Sequence, residues 1–205
     1  MHHKTRHFLT AGLAGLLFLA APCAPAADGA RLAKEKCEHC HGPQGNSSEP
    51  EVPIIAGIPR DYFLDTMKKF RSGERPAERF EAKGHRPTDM KEIAKALTRE
   101  QIRALADYYE AQTFHPAQQA FDPQLARQGA RVYRKRCRRC HEDNGRSSEG
   151  DAGRLAGQWL PYLSDQLDKF LSGERKPTRK MARQLKKLSA DERKAVLHFF
   201  AAQTD

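Results

Sequence analysis

The stretch CEHCH, residues 37–41, returns one hundred residues later as CRRCH, residues 137–141. Two cysteines separated by two residues can bind zinc, form a redox disulfide or attach a haem. Whichever of the three is correct must also explain why a histidine follows the second cysteine in both places. The surrounding sequence decides between them, because it relates the two motifs to each other and indicates the redox compartment in which the chain works.

The two motifs are parts of one long internal repeat. At an offset of 100 residues the matches include CxxCH, SSE, AG and SGER, at 37–41 and 137–141, 47–49 and 147–149, 56–57 and 156–157, and 72–75 and 172–175. Further on the offset falls to 91, so that Met90 matches Met181, and the first copy holds nine extra residues within 76–89. Two copies are too few for a solenoid, so the sequence predicts a duplicated domain. The predicted boundaries are domain 1 at residues 27–113, a proline-containing linker at 114–122 and domain 2 at 123–205.

Apolar residues at helical spacing predict an all-α fold in both copies. The predicted helices are 29–40 and 123–140, each ending in a CxxCH motif, then DYFLDTMKKF (61–70) and PYLSDQLDKF (161–170), and a last helix in each copy. The last helices begin with capping boxes, Thr98 with Gln101 and Ser189 with Glu192. No alternating run is long enough to predict a sheet.

Residues 1–26 differ from the rest of the chain and predict a secretory signal. The cationic start MHHKTRH precedes the apolar run FLTAGLAGLLFLAA, and Ala24-Pro25-Ala26 fits the small-x-small pattern of a cleavage site. We therefore predict cleavage after Ala26 and a periplasmic protein, with an uncleaved N-terminal anchor as the alternative. Cleavage removes Cys23, so the four remaining cysteines all lie in the two motifs. No run after residue 30 approaches the roughly 20 apolar residues needed to span a bilayer.

The spacing of the two cysteines is explained by geometry if each motif attaches a haem. Residues three apart on a helix share a face, so the two thiols can form thioethers with the two vinyl groups of one haem, and the next histidine lies under the iron. A zinc site gives no reason for a histidine after both pairs, and a thioredoxin-like site expects a strand-rich context. The sequence therefore predicts two haem c groups. The predicted attachment residues are Cys37, Cys40, Cys137 and Cys140, and the predicted iron ligands are His41 and His141.

Met90 and Met181 are the predicted sixth ligands of the two irons. Each follows a Pro-Thr pair, and each precedes the last helix of its copy by about eight residues. Met67 aligns with Leu167, so we predict a core role for it, whereas His85 in the extra segment could compete with Met90. Methionine ligation favours a positive potential and leaves no open iron position. The predicted chemistry is electron transfer without turnover of a substrate.

At these residues the chain resembles the cytochrome c4 family of diheme c-type cytochromes. The resemblance covers nearly all of the sequence after the signal, through CHGPQG, PIIAG, YFLDTMKKFRSGER and Met90 in the first copy, and LAGQWLPYL, FLSGER and Met181 in the second. The chain is also similar to the diheme subunit of flavocytochrome c sulfide dehydrogenase, in CRRCHEDNG, GQWLPYL, KMARQL and FDPQLARQGARVY. The resemblance implies two tandem class I cytochrome c domains with the ligands predicted above. It also implies that Pro53 accepts the imidazole hydrogen of His41, whereas the aligned residue in the second copy is Gly153.

After the predicted signal, the net positive charge of the chain belongs to its second half. Residues 27–115 contain 15 basic and 15 acidic residues, whereas residues 116–205 contain 19 basic and 11 acidic ones. The stretch around the second motif is especially cationic, at Arg131, Arg134, Lys135, Arg136, Arg138 and Arg139. Because positive charge disfavours the ferric state, we predict the higher potential for the second haem. The asymmetry also predicts a redox partner with an acidic docking surface, or peripheral association with a membrane, but not nucleic-acid binding.

Three functional hypotheses follow from the sequence and the resemblance. The first is a periplasmic carrier of the cytochrome c4 kind, which passes electrons to a terminal oxidase or another cytochrome. The second is the cytochrome subunit of flavocytochrome c sulfide dehydrogenase, which accepts electrons from a flavoprotein subunit. The third is a diheme enzyme, such as a peroxidase or a thiosulfate dehydrogenase, and the pair Met90 and Met181 argues against it.

Overall fold

The structure is a computed structural model that describes residues 25–147 and 153–204. Regular structure in these residues is helical, apart from one isolated antiparallel bridge between Phe80 and Thr88. In the first copy the helices are α1 (Pro25–Lys36), α2 (Glu38–His41), α3 (Arg60–Ser72), α4 (Met90–Ala96) and α5 (Arg99–Glu110). In the second copy they are α6 (Pro123–Arg136), α7 (Leu160–Ser172), α8 (Arg179–Leu185) and α9 (Ala190–Ala201). The predicted signal, apart from residues 25 and 26, lies outside the described residues.

Each copy is built on a close crossing of its first and last long helices. In the first copy α1 packs against α5 at Gly29, where a Cβ atom would lie 2.3 Å from the Ala104 carbonyl oxygen. In the second copy α6 packs against α9 at Gly129, where a Cβ atom would lie 2.0 Å from the Ala195 carbonyl oxygen. Both positions therefore require glycine so that the two backbones can approach. Among the described helices, none is long and apolar enough to cross a membrane.

The predicted capping boxes are present and fix where the last helices begin. Thr98 Oγ1 accepts from Gln101 N–H, and Gln101 Oε1 accepts from Thr98 N–H. Ser189 and Glu192 make the same reciprocal pair at the start of α9. Each box satisfies two backbone donors that would otherwise lack a helical partner.

The predicted helix 123–140 ends earlier than expected. Helix α6 ends at Arg136. The backbone N–H groups of Cys137 and Arg138 both donate to the Tyr133 carbonyl, at 2.9 and 3.0 Å, so the regular α-helical hydrogen-bond pattern does not continue beyond this point. The second CxxCH motif therefore forms a turn, whereas α2 carries most of the first motif.

The segment between the copies, residues 114–122, contains no helix but is firmly packed. The Ala117 N–H donates to the Gly157 carbonyl at 2.8 Å, and the Ala117 side chain is buried. Gln119 bonds twice to the second copy, donating to the Gln158 carbonyl and accepting from the Leu160 N–H, both at 2.7 Å. The predicted linker is thus a strap held against the second copy.

A loop of the first copy is hydrogen-bonded to the start of α7 and to the residues before it. The Gln158 side chain, which is 4 % exposed, accepts from Ile54 N–H at 3.1 Å and donates to the Ile54 carbonyl at 2.6 Å. The Trp159 indole N–H donates to the Ser47 carbonyl at 3.0 Å, and the Tyr162 N–H donates to the Pro50 carbonyl at 3.1 Å. The second copy therefore shapes the loop that follows the first CxxCH motif.

Candidate functional site

The first motif presents its two cysteines and its histidine to one side of a tight turn. Helix α1 ends before Cys37, helix α2 runs from Glu38 to His41, and Gly42 then reverses the chain with a φ of +71°. A Cβ atom at Gly42 would lie 2.2 Å from the Asn46 carbonyl oxygen, so only glycine fits the turn.

The imidazole of His41 is held in one orientation. The ring is 7 % exposed, and Nδ1–H donates to the Pro53 carbonyl at 2.9 Å. Burial lowers the pKa of His41, which keeps the ring neutral. With Nδ1 engaged as a donor, Nε2 is left with its lone pair, as an iron ligand requires.

A cavity of about 330 Å³ opens beside this histidine. Cys37, Cys40, His41 and Met90 all line it, so the structure brings the four predicted residues of the first haem site together. Much of the remaining lining is apolar and comes from the first copy, including Ile54, Ile55, Phe63, Met67, Ile93 and Leu97. An apolar cavity with two cysteines and a fixed imidazole on its wall fits a covalently attached haem.

Met90 and Met67 reach this cavity from different helices. Met90 is the first residue of α4, and Asp89 caps that helix by accepting from Lys91 N–H and Glu92 N–H, both at 2.8 Å. Met67 lies on α3 and is 3 % exposed within the first hydrophobic core, as the sequence predicted. Because both thioethers line the cavity, the assignment of Met90 as sixth ligand stays a prediction that mutation can test.

The extra segment of the first copy, residues 76–89, covers one side of this cavity. Phe80 and Thr88 pair through two backbone hydrogen bonds, at 2.8 and 3.1 Å, and both residues line the cavity. His85 is not among the lining residues, and its ring stacks on that of His39 with centroids 4.5 Å apart. The structure thus places His85, which was predicted to compete with Met90 as an iron ligand, against the ring of His39.

The thiols do not have the character of redox nucleophiles. Burial raises the pKa of Cys37 to about 11, and it raises the pKa of Cys137 to about 11 as well. Reactive cysteines have lowered pKa values. The described residues also contain no group of three or more His, Cys, Asp or Glu side chains able to hold a metal ion.

The second motif is more open than the first. Cys137 is half-buried against the second core, whereas Cys140 is exposed. His141 is half-buried, and its carbonyl accepts from the Tyr133 hydroxyl at 2.7 Å. Its Nδ1 atom is buried without a hydrogen-bond partner in the part of the chain that the structure describes.

Gly153 does not supply the carbonyl that Pro53 supplies in the first copy. It packs instead against the other copy, where an added Cβ atom would lie 2.7 Å from the Tyr62 hydroxyl. Its neighbours at 148–152 lie outside the described residues. The partner of the His141 ring is thus not among the residues described.

Met181 is the third residue of α8 and is half-buried. Its N–H donates to Oγ1 of Thr178, the helix cap, at 3.2 Å. Because α8 begins two residues earlier in the repeat than α4, Met181 lies deeper in its helix than Met90 does. No described contact joins Met181 to Cys137, Cys140 or His141, so its role as a ligand stays a prediction.

The first site also contains residues from the second copy that the sequence did not single out. Tyr162, Gln166 and Lys169 of α7 line the first cavity, and Arg75 of the first copy meets them there. The sequence contained one signal that could have pointed to these residues, because the SGER stretch recurs in both copies and Tyr62 matches Tyr162.

Both copies match known families. Residues 26–111 match the family model "Cytochrome c", and residues 124–200 match the model "Cytochrome C oxidase, cbb3-type, subunit III". The chain is 32 % identical over 176 residues to cytochrome c4 of Azotobacter vinelandii, covering 82 % of this chain and 80 % of that protein. It is 31 % identical over 218 residues to the thiosulfate dehydrogenase electron acceptor of Stutzerimonas stutzeri strain A1501, covering 97 % and 95 %.

Two solved structures are similar over most of the chain. The reduced recombinant cytochrome c4 from Pseudomonas stutzeri superposes with a TM-score of 0.70 at 26 % identity, covering 88 % of this chain and 98 % of that one. The thiosulfate dehydrogenase TsdBA from Marichromatium purpuratum superposes with a TM-score of 0.71 at 27 % identity, covering 87 % of this chain and 40 % of that one.

Proposed function

The chain belongs to the cytochrome c4 family, and from that premise we propose that it is a periplasmic carrier that passes electrons to a terminal oxidase. It is a diheme electron-transfer cytochrome, and its two haem c groups are attached through Cys37 and Cys40 and through Cys137 and Cys140. The predicted all-α fold of two tandem cytochrome c domains is thereby confirmed. Each haem supplies a one-electron Fe(III)/Fe(II) couple, and the chain supplies its ligands, its surroundings and its docking surface.

In this proposal His41 and Met90 would hold the iron of the first haem, and His141 and Met181 would hold the iron of the second. The hydrogen bond from His41 to Pro53 supports the assignment in the first domain, because it orients the ring and raises its basicity. A histidine and a methionine ligand at each haem would leave no iron position open to a substrate, so we propose that the chain is not itself an enzyme.

The second domain is the proposed docking side. Exposed cationic residues flank the second motif at Arg134, Lys135, Arg138 and Arg139, and they continue on and after α8 at Arg179, Lys180, Arg183, Lys186 and Lys187. Cys140, which holds one edge of the second haem, is exposed among them. An acidic redox partner would be steered to this edge by long-range attraction that salt weakens. Peripheral association with an anionic membrane through the same residues stays a prediction.

The observation that carries the proposal is a CxxCH motif in each of the two domains that match cytochrome families. The reduced protein should be oxidised by a purified terminal oxidase, with a rate that falls steeply as ionic strength rises. Failure of the oxidase to oxidise the protein at low salt would contradict the proposed role.

A second candidate is an electron acceptor of a thiosulfate dehydrogenase. It is favoured by the likeness to the Stutzerimonas stutzeri protein of that name, which extends over nearly all of both chains. Thiosulfate together with a purified thiosulfate dehydrogenase should then reduce the cytochrome, whereas thiosulfate alone should not. Reduction by thiosulfate without the dehydrogenase would instead indicate that the cytochrome is itself an enzyme.

A flavoprotein partner stays a prediction, and co-purification of a stoichiometric flavoprotein would support it.

A further inference from the structure

Tyr109 and Phe200 occupy matching positions in the last helices of the two copies, α5 and α9. The Gly57 N–H donates to the Tyr109 carbonyl at 2.8 Å, and the Gly157 N–H donates to the Phe200 carbonyl at 2.9 Å. The backbones of the two residues are therefore held in the same way.

The two aromatic rings are also held in the same way. A Cβ atom added at Gly45 would lie 2.9 Å from Tyr109 Cε1, and one added at Gly145 would lie 2.7 Å from Phe200 Cε1. Each ring thus rests against the backbone that follows the CxxCH motif of its own copy. The chemical difference between the two positions is the hydroxyl group of Tyr109.

The Tyr109 hydroxyl is buried without a hydrogen-bond partner among the residues that the structure describes. Tyr109 is fully buried and lines the first cavity. A buried hydroxyl that makes no hydrogen bond is costly, so native structures nearly always supply an acceptor. We therefore expect this hydroxyl to find its acceptor on the group that fills the cavity.

The second copy also has a tyrosine near its motif, but the hydroxyl of that tyrosine is already bonded. Tyr133 stacks on Phe199, and its hydroxyl donates to the His141 carbonyl at 2.7 Å. The residue that matches Tyr133 in the first copy is Ala33. The second copy thus has a satisfied hydroxyl, whereas the first has one that lacks a partner.

The Tyr109 hydroxyl interacts with the side chain of Cys37, which packs against the same core. Burial is the main cause that raises the pKa of Tyr109, and the Cys37 side chain raises it further. The Tyr109 hydroxyl in turn lowers the pKa of Cys37, against the larger opposing effect of burial. The sulfur that attaches the first haem therefore lies beside a buried donor.

Attachment of a haem changes what Cys37 offers to this hydroxyl. A thiol carries its own proton, whereas a thioether sulfur has none and can only accept a hydrogen bond. A donor at this sulfur would place the positive end of an O–H dipole at the edge of the haem. Because reduction lowers the positive charge of the iron, such a dipole favours the ferrous state.

We propose that the Tyr109 hydroxyl donates a hydrogen bond to the thioether sulfur of Cys37 and raises the reduction potential of the first haem. Phe200 leaves the second haem without such a donor. Tyr109 is then a positioning residue that acts on the iron through the attachment bond. The proposal deepens the proposed function and rests on the first haem that it includes. The hydrogen bond opposes the charge difference between the motifs and narrows the gap between the two potentials.

The test compares Tyr109→Phe, which removes only the hydroxyl, with Tyr108→Phe as the matched control, both in the full-length holoprotein. Tyr108 is the neighbouring tyrosine and is half-buried, but it is not among the residues that line the first cavity. Pyridine haemochrome measures haem per chain, and potentiometry measures both reduction potentials. Variants that lack the cysteines of one motif assign each potential to its haem.

Tyr109→Phe should keep two haems per chain, because phenylalanine fills the same position in the second domain. It should lower the potential of the first haem and leave that of the second unchanged. Tyr108→Phe should change neither potential. An unchanged first potential in Tyr109→Phe, or an equal fall in both potentials, would overturn the proposal.

Resonance Raman spectroscopy tests the hydrogen bond itself and needs no substitution. In the wild type, the carbon–sulfur stretching band of the first haem should shift on transfer to heavy water. The shift should be absent in Tyr109→Phe and kept in Tyr108→Phe. A wild-type band that does not respond to heavy water, or a response that persists in Tyr109→Phe, would overturn the hydrogen bond. Failure of the oxidase to oxidise the wild type would instead overturn the proposed function, because neither the potentials nor the bands depend on the oxidase.

Discussion

The two CxxCH sites share one motif but differ in their surroundings. The first lies in a cavity of about 330 Å³ that is covered by residues 76–89 and lined in part by α7 of the other domain. The second lies on a turn, with Cys140 exposed and without a counterpart of Pro53 among the described residues. Duplication kept the attachment chemistry the same in both sites, whereas the insertion, the charges and the domain contact made the sites unequal. We therefore expect the first haem to be the inner one and the second to exchange electrons with partners.

The largest effect should come from removing one haem at a time. Replacing Cys37 and Cys40 by alanine, or Cys137 and Cys140 by alanine, should each reduce haem from two per chain to one. Loss of the first haem should lower the melting temperature more, because it leaves an empty cavity at the domain junction. Pyridine haemochrome and thermal unfolding measure both results, and an equal or opposite order of stability would contradict the inner position of the first haem.

The next largest effect concerns the sixth ligands. Met90→Ala and Met181→Ala should each remove half of the absorption band of methionine-ligated ferric haem and lower one of the two potentials, because methionine ligation favours the ferrous state. Met67→Leu is the matched control for the first site, since it keeps an apolar side chain in the same cavity. If Met67→Leu removed half of this band and Met90→Ala left the band intact, Met67 and not Met90 would be the sixth ligand of the first iron.

The local features of each domain could be predicted from the sequence, but the junction could not. The capping boxes at Thr98 and Ser189 depend on neighbours three residues away and are present. Arg75 lies in a stretch that resembles an ordinary helix end, yet its guanidinium is buried because Tyr162, 87 residues later, packs over it. The strap at 114–122 also looked like a loose linker, because its polar side chains gain their partners only when the domains dock.

The docking of the domains can be weakened at Gln158. Replacing it by alanine leaves both backbone groups of Ile54 without their buried partner, which should lower the free energy of unfolding by about 2 to 4 kcal/mol. Gln118→Ala is the control, because Gln118 is exposed. Denaturant unfolding of the holoproteins measures the difference. A loss no greater than that of the control would mean that Gln158 does not hold the loop.

The charge difference between the motifs can be exchanged. A reciprocal variant would carry Arg-Arg at 38–39 and Glu-His at 138–139, with the total charge unchanged. We predict that the second haem has the higher potential in the wild type and that the exchange narrows or reverses the order. The shift should be modest, because exposed charges are screened. Potentiometry measures the shift in the two reduction potentials, and the salt dependence of oxidation by the oxidase gives a second measure of the charge effect. A wild-type protein whose first haem has the higher potential would contradict the prediction.

The smallest effect is a pH dependence specific to the second domain. His198 Nδ1 accepts from Asp122 N–H at 3.0 Å, and burial lowers the pKa of His198 despite the opposing charge of Asp122. The unfolded chain therefore binds the proton more readily, so stability is full above the ordinary histidine pKa of about 6.5 and falls as the pH drops below it.

The aligned residue of the first domain is Asp107, which offers a matched comparison. His198→Gln should reduce the loss of stability between about pH 7.5 and about pH 5.5, on either side of the ordinary histidine pKa. Unfolding at the two pH values measures it, and an unchanged acid sensitivity would mean that His198 is not its source.

The presence and ligation of two haems can be tested by the visible spectrum of the oxidised and reduced protein, together with haem quantification as the pyridine haemochrome. We predict two c-type haems per chain, both covalently held and both with the spectrum of methionine-ligated iron in the oxidised state. One haem per chain, or none, would contradict it.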